Sequence, residues 1–570
     1  MARRSALATA GYSVAVACLL LAAGVGGAAA AAVPTVSSAP ATWDKSIQPP
    51  GVTGIGVKYS EVDQVSCPSA GNCTAVGDFE ASGGGPATPF AISEKGGKWQ
   101  HAKLLLNRAA NDTAQYVSLV VSCPSAGNCA AGGRRIDGAA STVFVIVQKN
   151  GTWGPPQTIV DSLSTASYPN SISCPKAGGC TIGGLYQVGG SNEGWVADEK
   201  PDGSWNPLLQ PLSSLVNSGH QGQINEVSCG KSGYCVAVGL YTDSTAEHGY
   251  VAEERNHSWD APFVLPGNPA SSLNAVSCDA PGDCEVGGNL MPGDAFVVRE
   301  KAFSWSGITT PPGLKRLNAG GRAEFLSISC RTKGNCSAGG TYTDAKKHGQ
   351  AFVVSEHNGT WAKAIEVSGL GALNTLPYAE VDSVSCASPG NCVAGGVYYV
   401  TGEFPHAFLV SELNGTWHGA QVPRGDAAPS AKSVAGTESV SCGSVGSCAA
   451  VGYFDQGAGF SRGWIARGSV RQPTSAALAL STSTVRFGHE QGLTVRVKVT
   501  PGYAGPATGS VTVYAGSKAV CALTLKNGAG TCSPTAKRLA IGKYQLVARY
   551  AGNVTFGPSA SAAKKLTVTK

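Results

Sequence analysis

The stretch VSCPSAGNCTAVG, residues 65–77, decides the fold because the chain contains eight related copies of it. The other copies are VSCPSAGNCAAGG, ISCPKAGGCTIGG, VSCGKSGYCVAVG, VSCDAPGDCEVGG, ISCRTKGNCSAGG, VSCASPGNCVAGG and VSCGSVGSCAAVG. Their first cysteines, about 54 residues apart, are Cys67, Cys123, Cys174, Cys229, Cys278, Cys330, Cys386 and Cys442. A period of this length indicates a repeat architecture in which each copy is one structural unit.

Each unit is predicted to contain four short strands. An apolar segment leads into the first cysteine, a five-residue loop containing glycine turns the chain, and a second strand follows. A third strand, such as PFAISE or AFVVSE, ends at a tight turn such as HNGTW, where a tryptophan begins the fourth strand. This layout is typical of β-propeller blades, and no segment keeps the apolar period of a helix.

The tryptophans predict how the ring of blades closes. The first seven cysteine pairs are each followed by a fourth-strand tryptophan: Trp99, Trp153, Trp205, Trp259, Trp305, Trp361 and Trp417. The eighth pair is followed by a third strand, GWIARG, and by no such tryptophan, whereas an unmatched copy lies around Trp43. We therefore predict an all-β protein with an eight-bladed propeller, in which the N-terminal strand completes the last blade and leaves no sheet edge unpaired.

Every unit contains one C-x5-C pair, and two more cysteines lie near the C-terminus. An even set of cysteines at fixed spacing predicts disulfides in an exported chain. The predicted pairs are Cys67–Cys73, Cys123–Cys129, Cys174–Cys180, Cys229–Cys235, Cys278–Cys284, Cys330–Cys336, Cys386–Cys392, Cys442–Cys448 and Cys521–Cys532. Metal binding competes with this interpretation, but zinc sites favour shorter cysteine spacings combined with a second pair or with histidines. We therefore expect no metal and no cofactor.

Composition excludes several classes of protein. Only 14% of the residues are charged and 42% are hydrophobic, which is unlike a disordered chain. The 76 glycines exclude a helical repeat, because glycine destabilises helices. The formal net charge of +6 is small for 570 residues and no basic run is present, so nucleic acid is not an expected partner.

Residues 1–32 are predicted to be a signal peptide, with Arg3 and Arg4 before an apolar segment and small residues at the cleavage site. The alternatives are a retained membrane anchor and a lipoprotein cleaved before Cys18. After removal of the signal peptide we expect no membrane span and an extracellular or cell-surface location. The predicted organisation is then a propeller at 33–468, a linker at 469–473 and a C-terminal domain at 474–570.

The turn before each tryptophan resembles the Asp-box of sialidase-type BNR propellers, whose pattern is roughly S-x-D-x-G-x-T-W. The nearest copies are SEHNGTW at residues 355–361 and SELNGTW at residues 411–417. The spacing is one residue shorter and the aspartate is replaced, so these repeats are degenerate. Because the Asp-box is a structural turn, the resemblance implies a propeller fold and no catalytic residue.

The C-terminal region resembles a bacterial Ig-like domain of the Big_3 type, of the kind that ends many secreted actinobacterial proteins. The resemblance rests on runs such as STVRFGHEQGLTVRVKVTP and LAIGKYQLVARYAG. The alternation of Leu493, Val495, Val497 and Val499 predicts a strand with one buried face. The dipeptide at residues 527–528, Asn-Gly, predicts a hairpin turn that the disulfide between Cys521 and Cys532 bridges.

No established catalytic motif is found in the chain. The nine histidines are scattered without metal-ligand spacing, and neither a nucleophile elbow nor a P-loop is present. A sialidase-like site needs an arginine cluster, a nucleophilic tyrosine and an acid. The arginines, including the adjacent Arg134 and Arg135, are not in that family's order, and we interpret them as solvated surface residues.

The candidate ligand-binding residues are aromatic and lie six positions beyond the second cysteine of their units: Phe79, Tyr186, Tyr241, Tyr342, Tyr398 and Phe454. The loops that follow differ from unit to unit, and variable loops on a rigid scaffold commonly carry specificity. A ring of aromatic side chains can stack on sugar faces or contact a partner protein. The alternative is packing at a strand end, since a feature of six units is typical of architecture.

Three functions are compatible with these features. The first is an extracellular, non-catalytic recognition or adhesion protein, a monomer whose propeller mouth binds a glycan or protein partner and whose Ig-like domain is a spacer or adhesive module. The second is a polysaccharide-active enzyme, a glycosidase or lyase, with its acid and base among Asp243, Asp344, Glu403 and Asp455. A purely structural envelope protein is a third possibility. Paired carboxylates in the mouth, one of them desolvated, favour the enzyme, whereas an aromatic or merely polar mouth favours binding.

Overall fold

The computed structural model describes most of the chain beyond the N-terminal region. The described residues are 42–52, 57–82, 84–106, 112–160, 166–188, 190–206, 221–266, 269–401, 404–430, 433–455, 457, 460–469, 474–501, 506–553 and 556–570. The predicted signal peptide lies outside them. Within these ranges helix is confined to the turn Leu314–Leu317 and the 3-10 turn Glu490–Gly492, so the protein is all-β.

In the described residues between 42 and 469, eight antiparallel sheets follow one another, and each begins with a hairpin that the cysteine loop closes. The first strands are Val57–Ser69, Gln115–Ser125, Ser167–Ser173, Gln221–Lys231, Ser271–Ala280, Ala323–Thr332, Leu376–Ser388 and Val434–Ser444. The second strands are Asn72–Ala81, Asn128–Asp137, Thr181–Val188, Tyr234–Thr242, Asp283–Leu290, Asn335–Thr343, Asn391–Val400 and Ser447–Asp455. We number the sheets 1 to 8 in this order.

The outer half of each sheet consists of a long third strand and a short fourth strand. The third strands are Thr88–Lys95, Ala140–Lys149, Ser191–Asp198, Glu247–Arg255, Ala295–Lys301, Gly349–His357, Phe404–Leu413 and Arg462–Ser469. The fourth strands are Lys98–Trp99, Thr152–Trp153, Ser258–Trp259, Ser304–Trp305, Thr360–Trp361 and Thr416–Trp417, and in sheet 3 a single bridge joins Glu199 to Trp205. Further along the chain, short strands pair with some third strands: Lys103–Leu104, Gln157–Val160, Phe263–Val264 and Ile365–Glu366.

The invariant glycine of the cysteine loop has a conformational cause. It has a positive φ in all eight sheets: Gly71, Gly127, Gly178, Gly233, Gly282, Gly334, Gly390 and Gly446. Residues with a side chain rarely adopt this backbone conformation, so glycine is required where the hairpin turns. The predicted disulfides are confirmed, with Cα–Cα distances of 4.0–4.1 Å in the sheets. The distance is short because the paired cysteines lie directly opposite each other across the hairpin, as Cys229 and Cys235 do.

The serine before each first cysteine joins neighbouring sheets. The first strand is the edge of its sheet, so the N–H of its cysteine points away from the ladder and needs another acceptor. The serine hydroxyl of the preceding sheet accepts this bond at 2.9–3.1 Å in every case: Ser66 from Cys123, Ser122 from Cys174, Ser173 from Cys229, Ser228 from Cys278, Ser277 from Cys330, Ser329 from Cys386, Ser385 from Cys442 and Ser441 from Cys67. The last of these bonds runs from sheet 1 back to sheet 8, so the cycle is closed.

A strand from the N-terminal end of the described chain supplies the outer edge of sheet 8. This strand, Thr42–Trp43, pairs antiparallel with Arg462–Ser469, which places Trp43 opposite Gly468. Ile47 then bonds to Ile465 through both backbone groups, at 2.9 and 3.0 Å. The chain ends of this region are therefore neighbours in one sheet, as the tryptophan count predicts.

Several fourth-strand tryptophans connect neighbouring sheets. The indole N–H of Trp259 donates to Asp198 of the preceding sheet at 3.1 Å, and that of Trp361 donates to Glu285 at 3.2 Å. Trp417 donates in the same way to the hydroxyl of Ser355 at 2.9 Å. The turn that resembles an Asp-box therefore has an architectural role in these sheets.

The C-terminal domain contains two sheets that enclose their own apolar core. One sheet contains Thr474–Leu480, Val495–Pro501 and Ala529–Cys532. The other contains Thr484–Arg486, Gly509–Ala515, Lys518–Leu525, Gly542–Tyr550, Ser559–Ala560 and Lys564–Thr569. The predicted alternation is confirmed, since Leu493, Val495, Val497 and Val499 are all buried. The disulfide of Cys521 and Cys532 joins strands of the two sheets, on either side of the predicted turn.

Across the described ranges, none of the helices has the length and apolar character needed to cross a membrane.

Candidate functional site

The six aromatic residues of the predicted ligand-binding ring lie largely in apolar cores. Five of them are only 2–7% exposed, and Tyr186 is half-buried. The ring of Tyr398 stacks on His406 with centroids 5.5 Å apart, and the hydroxyl of Tyr342 donates to Glu366 at 3.0 Å. These contacts favour the packing alternative, and a ligand-binding role for the six residues stays a prediction.

The loop carboxylates proposed as acid and base form turns. Asp243 accepts backbone bonds from Thr245 at 2.7 Å and from Ala246 at 3.0 Å, and lies 3.1 Å from His248. The hydrogen bonds from Thr245 lower the pKa of Asp243, which disfavours a role as a general acid. Asp344 accepts two backbone bonds in the equivalent turn, and Asp455 accepts one from Gly457. Glu403 lies outside the described residues.

A different group of carboxylates converges on sheet 1. Glu61 and Asp63 lie on its first strand, and Asp78 lies on its second strand directly opposite Glu61. One oxygen from each of the three carboxylates lies within 4.8 Å of the other two. We call Glu61, Asp63 and Asp78 the first-sheet cluster. It lies near the end of the second strand, and therefore toward the variable loops and away from the disulfides.

Asp78 is the unusual member of the first-sheet cluster. It is only 1% exposed, and neither of its carboxylate oxygens has a hydrogen-bond partner. Asp63 accepts the backbone N–H of Leu119 from sheet 2 at 2.6 Å, and Glu61 accepts the hydroxyl of Tyr59. Burial, followed by the charge of Glu61, raises the pKa values of both Asp63 and Asp78 well above the usual range.

Further acidic residues lie near the cluster on sheets 7 and 8. Sheet 8 is the sheet that neighbours sheet 1 where the cycle of hydrogen bonds closes, and we call this contact the closing seam. Glu438 of sheet 8 and Asp382 of sheet 7 hold the position of Asp63, and Glu380 of sheet 7 holds the position of Glu61. Glu438 is exposed to solvent. Desolvation by the protein around its carboxyl group, followed by the charges of Glu61 and Glu380, nevertheless raises its pKa to about 7. The same position is uncharged in the other five sheets: Leu119, Asn170, Asn225, Asn274 and Leu326. The negative charge of the first strands at this position is thus confined to sheets 7, 8 and 1.

These acidic residues were not predicted from the sequence, because they lie on strands and the candidate residues were sought in loops. Five residues after the second cysteine, sheet 1 has Asp78, whereas the other sheets have Arg134, Leu185, Leu240, Asn289, Thr341, Val397 and Tyr453. Asp78 therefore departs from its repeat inside a strand, whereas the carboxylates considered from the sequence as acid and base lie in loops.

A second acidic group behaves differently because it contains an arginine. Arg299 Nη1 lies 2.8 Å from Glu356, and the guanidinium also approaches Asp283 at 3.7 Å and Glu285 at 3.9 Å. Cys336, which lies beside these carboxylates, is bonded to Cys330 and offers no thiolate. The positive charges of Arg299 and of Lys333, which lies 2.8 Å from Asp283, therefore offset part of this group's negative charge, whereas among the described residues no lysine or arginine pairs with the first-sheet cluster.

Glu226 of sheet 4 allows a test of how burial affects these first strands. Its carboxylate accepts the N–H of Val276 at 2.8 Å, and burial raises its pKa to about 8 despite this bond. In sheet 1 the equivalent residue is Gln64, which accepts the N–H of Val121 at 2.6 Å. Glutamine therefore preserves the bond without the charge.

We expect Glu226→Gln to raise the melting temperature at pH 9 and to leave it nearly unchanged at pH 5. The folded protein binds the proton of Glu226 more tightly than the unfolded chain does. The protein with Glu226 therefore loses free energy of unfolding as the pH rises from about 4.3 through 8. The shift from about 4.3 to about 8 corresponds to about 5 kcal/mol at pH 9, which is an upper bound because the side chain is partly exposed. Thermal unfolding of both proteins between pH 5 and pH 9 measures it. A difference that does not change with pH would contradict this explanation.

Comparison with solved structures finds propeller-like folds at low similarity. The fucose-specific lectin from Aleuria aurantia is 10% identical, with 66% of this chain and 99% of that chain covered and a TM-score of 0.30. The β-propeller domain of Cps50 (Swd1) from Myceliophteria thermophila is 10% identical, with 57% and 90% covered and a TM-score of 0.32. The Trypanosoma rangeli sialidase is 9% identical, with 76% and 59% covered and a TM-score of 0.36. These values support no inference about function.

Sequence comparison identifies the C-terminal domain. No curated protein matches the chain. Residues 478–569 match the family model described as Bacterial Ig-like domain (group 3), so this part of the chain is a bacterial Ig-like domain.

Proposed function

We propose that residues 33–468 form an eight-bladed β-propeller closed by the N-terminal strand, with a linker at 469–473 and the Ig-like domain at 474–570. Two features support it: the eight serine–cysteine bonds form a closed cycle, and the strand Thr42–Trp43 pairs within sheet 8. A closed ring protects its sheets from pairing with other chains.

We propose further that the protein is exported and acts as a non-catalytic recognition protein, whose propeller mouth binds a glycan or a protein. The observation that carries this proposal is a contrast between the repeated residues of each unit and its loops. The repeated serines, cysteines and tryptophans are used to join sheets, whereas the loops between second and third strands differ from sheet to sheet. Rigid scaffolds with variable loops are typical of binding proteins. Nine disulfides are consistent with an extracellular location.

A polysaccharide-active enzyme is the second candidate, and the first-sheet cluster is the observation that favours it. Glycosidases use two carboxyl groups, one with a raised pKa, and Asp63 lies beside Glu61 with its pKa raised. Against this role, Asp78 is too buried to reach a substrate, and a two-carboxylate mechanism leaves its unpartnered oxygens unexplained.

A glycan array combined with hydrolysis assays tests the two candidates. The secreted protein is applied to the array, and each glycan that binds is then incubated with the protein and analysed for released sugar. Binding without turnover supports recognition. Released sugar that disappears in Glu61→Gln and persists in Glu324→Gln would establish the enzyme instead, because Glu324 holds the position of Glu61 in sheet 6.

A further inference from the structure

The first-sheet cluster has the composition of a site for a hard divalent cation. We propose that Glu61, Asp63 and Asp78 bind one Ca²⁺ ion. Calcium takes carboxylate oxygens at 2.3–2.6 Å, so two oxygens on opposite sides of one ion are about 5 Å apart. The three carboxylates, each with one oxygen within 4.8 Å of the others, satisfy this span. Calcium accepts flexible coordination geometry, whereas magnesium requires a near-ideal octahedron and loses its waters reluctantly, which favours calcium at a site made of strand carboxylates.

Enough oxygens remain for an ion after the hydrogen bonds are made. The backbone N–H of Leu119 donates to Oδ2 of Asp63, and the hydroxyl of Tyr59 donates to Oε2 of Glu61. Each of these carboxylates therefore keeps its second oxygen for an ion. Asp78 contributes two unpartnered oxygens. Glu61 and Asp63 are partly exposed, which provides a route for the ion from solvent.

The cost of the cluster without an ion is the independent argument for one. A buried carboxylate without a hydrogen bond is strongly unfavourable, and like charges directly opposite each other on paired strands destabilise a sheet. Both unfavourable features apply to Asp78, which is buried and lies directly opposite Glu61. In the acidic group around Arg299, the guanidinium offsets part of the negative charge. No lysine or arginine does this for the first-sheet cluster within the described part of the chain, and Glu438 adds further negative charge beside it.

Asp78→Asn is the decisive variant because it keeps the shape and removes the charge. The full secreted protein is treated with a chelator and titrated with CaCl₂ in a calorimeter. We expect the unmodified protein to bind one equivalent, and Asp78→Asn to bind at least 10-fold more weakly. Glu324→Gln is the matched control, since Glu324 corresponds to Glu61 but pairs with Arg322 at 2.8 Å, and it should bind as the unmodified protein does. Should Asp78→Asn fail to fold, Glu61→Gln provides the same comparison.

Thermal unfolding supplies a second readout that does not depend on any partner. Calcium should raise the melting temperature of the unmodified protein and leave that of Asp78→Asn unchanged, while Asp78→Asn without metal should melt above the metal-free unmodified protein. No binding at millimolar calcium, unchanged binding in Asp78→Asn, or equal affinity for Mg²⁺ would each overturn the proposal. These outcomes are independent of the glycan array, so failure of one proposal does not decide the other.

Discussion

Replacing Trp43 with alanine is expected to lower the free energy of unfolding by about 3–5 kcal/mol, the usual cost of removing a buried tryptophan. Trp43 is 6% exposed, its ring packs on Gly468, and it shares a core with Trp464. The guanidinium of Arg424 donates to its carbonyl at 2.7 Å. Because Trp43 also holds the strand that completes sheet 8 against its core, we expect the loss to lie in the upper part of this range. Urea-induced unfolding of the full chain measures the difference.

Trp153→Ala is the matched control for the closing strand. Trp153 pairs with Gln148 on an equivalent fourth strand, but it is partly exposed, and the turn at Asn150 and Gly151 connects the two strands covalently. We expect Trp153→Ala to cost less than half as much as Trp43→Ala. Equal losses in the two variants would mean that the N-terminal strand does not close the ring.

The second large effect is expected when the chain refolds in a reducing agent. Each disulfide of a sheet closes a loop of seven residues, worth about 2.4 kcal/mol on the chain-entropy model. Eight such disulfides together exceed the ~5–15 kcal/mol stability of a typical domain. The reduced chain is therefore expected not to regain its structure. Dilution from denaturant with and without a thiol reductant, followed by circular dichroism, measures the recovery.

Two controls separate the disulfides of the sheets from other effects of the reductant. Reductant without denaturant should leave the folded protein largely intact, because most of these cysteines are buried. A double variant, Cys229→Ala with Cys235→Ala, should lose about 2 kcal/mol and still refold under oxidising conditions. Complete recovery of the reduced chain would show that the serine–cysteine bonds and apolar cores suffice without the disulfides.

The architecture of this protein was predictable because the repeat encodes each unit locally. Glycine at the hairpin, cysteines at fixed spacing and tryptophan after a tight turn each have a short-range cause, so eight copies indicate eight similar sheets. The unmatched Trp43 even predicts a long-range pairing. The hydrogen bond from Cys67 to Ser441 was not predictable, because a serine in a pattern does not state which neighbouring sheet it contacts.

The candidate site was predicted less well than the fold. The aromatic residues Phe79 and Tyr398 were prominent because they recur, yet recurrence is what packing between strands produces, and both are buried. The first-sheet cluster was missed because its residues are separated by up to 17 positions and belong to two strands of one repeat. Burial, which makes Asp78 significant, is a property of the packed sheet and has no signature in the order of residues.

By itself, the order of residues determined the all-β class, the repeated unit, the disulfide pairs and the Ig-like C-terminal domain, since each depends on spacing and on nearby residue types. The tertiary structure alone decided which polar groups are neutralised and which are left buried together. The reason is that hydrogen bonds and charges act over a few ångströms in space, whatever the separation along the chain. The folded sheets place Glu61 opposite Asp78, and they bring Glu438 of sheet 8 close enough for its charge to interact with that of Glu61.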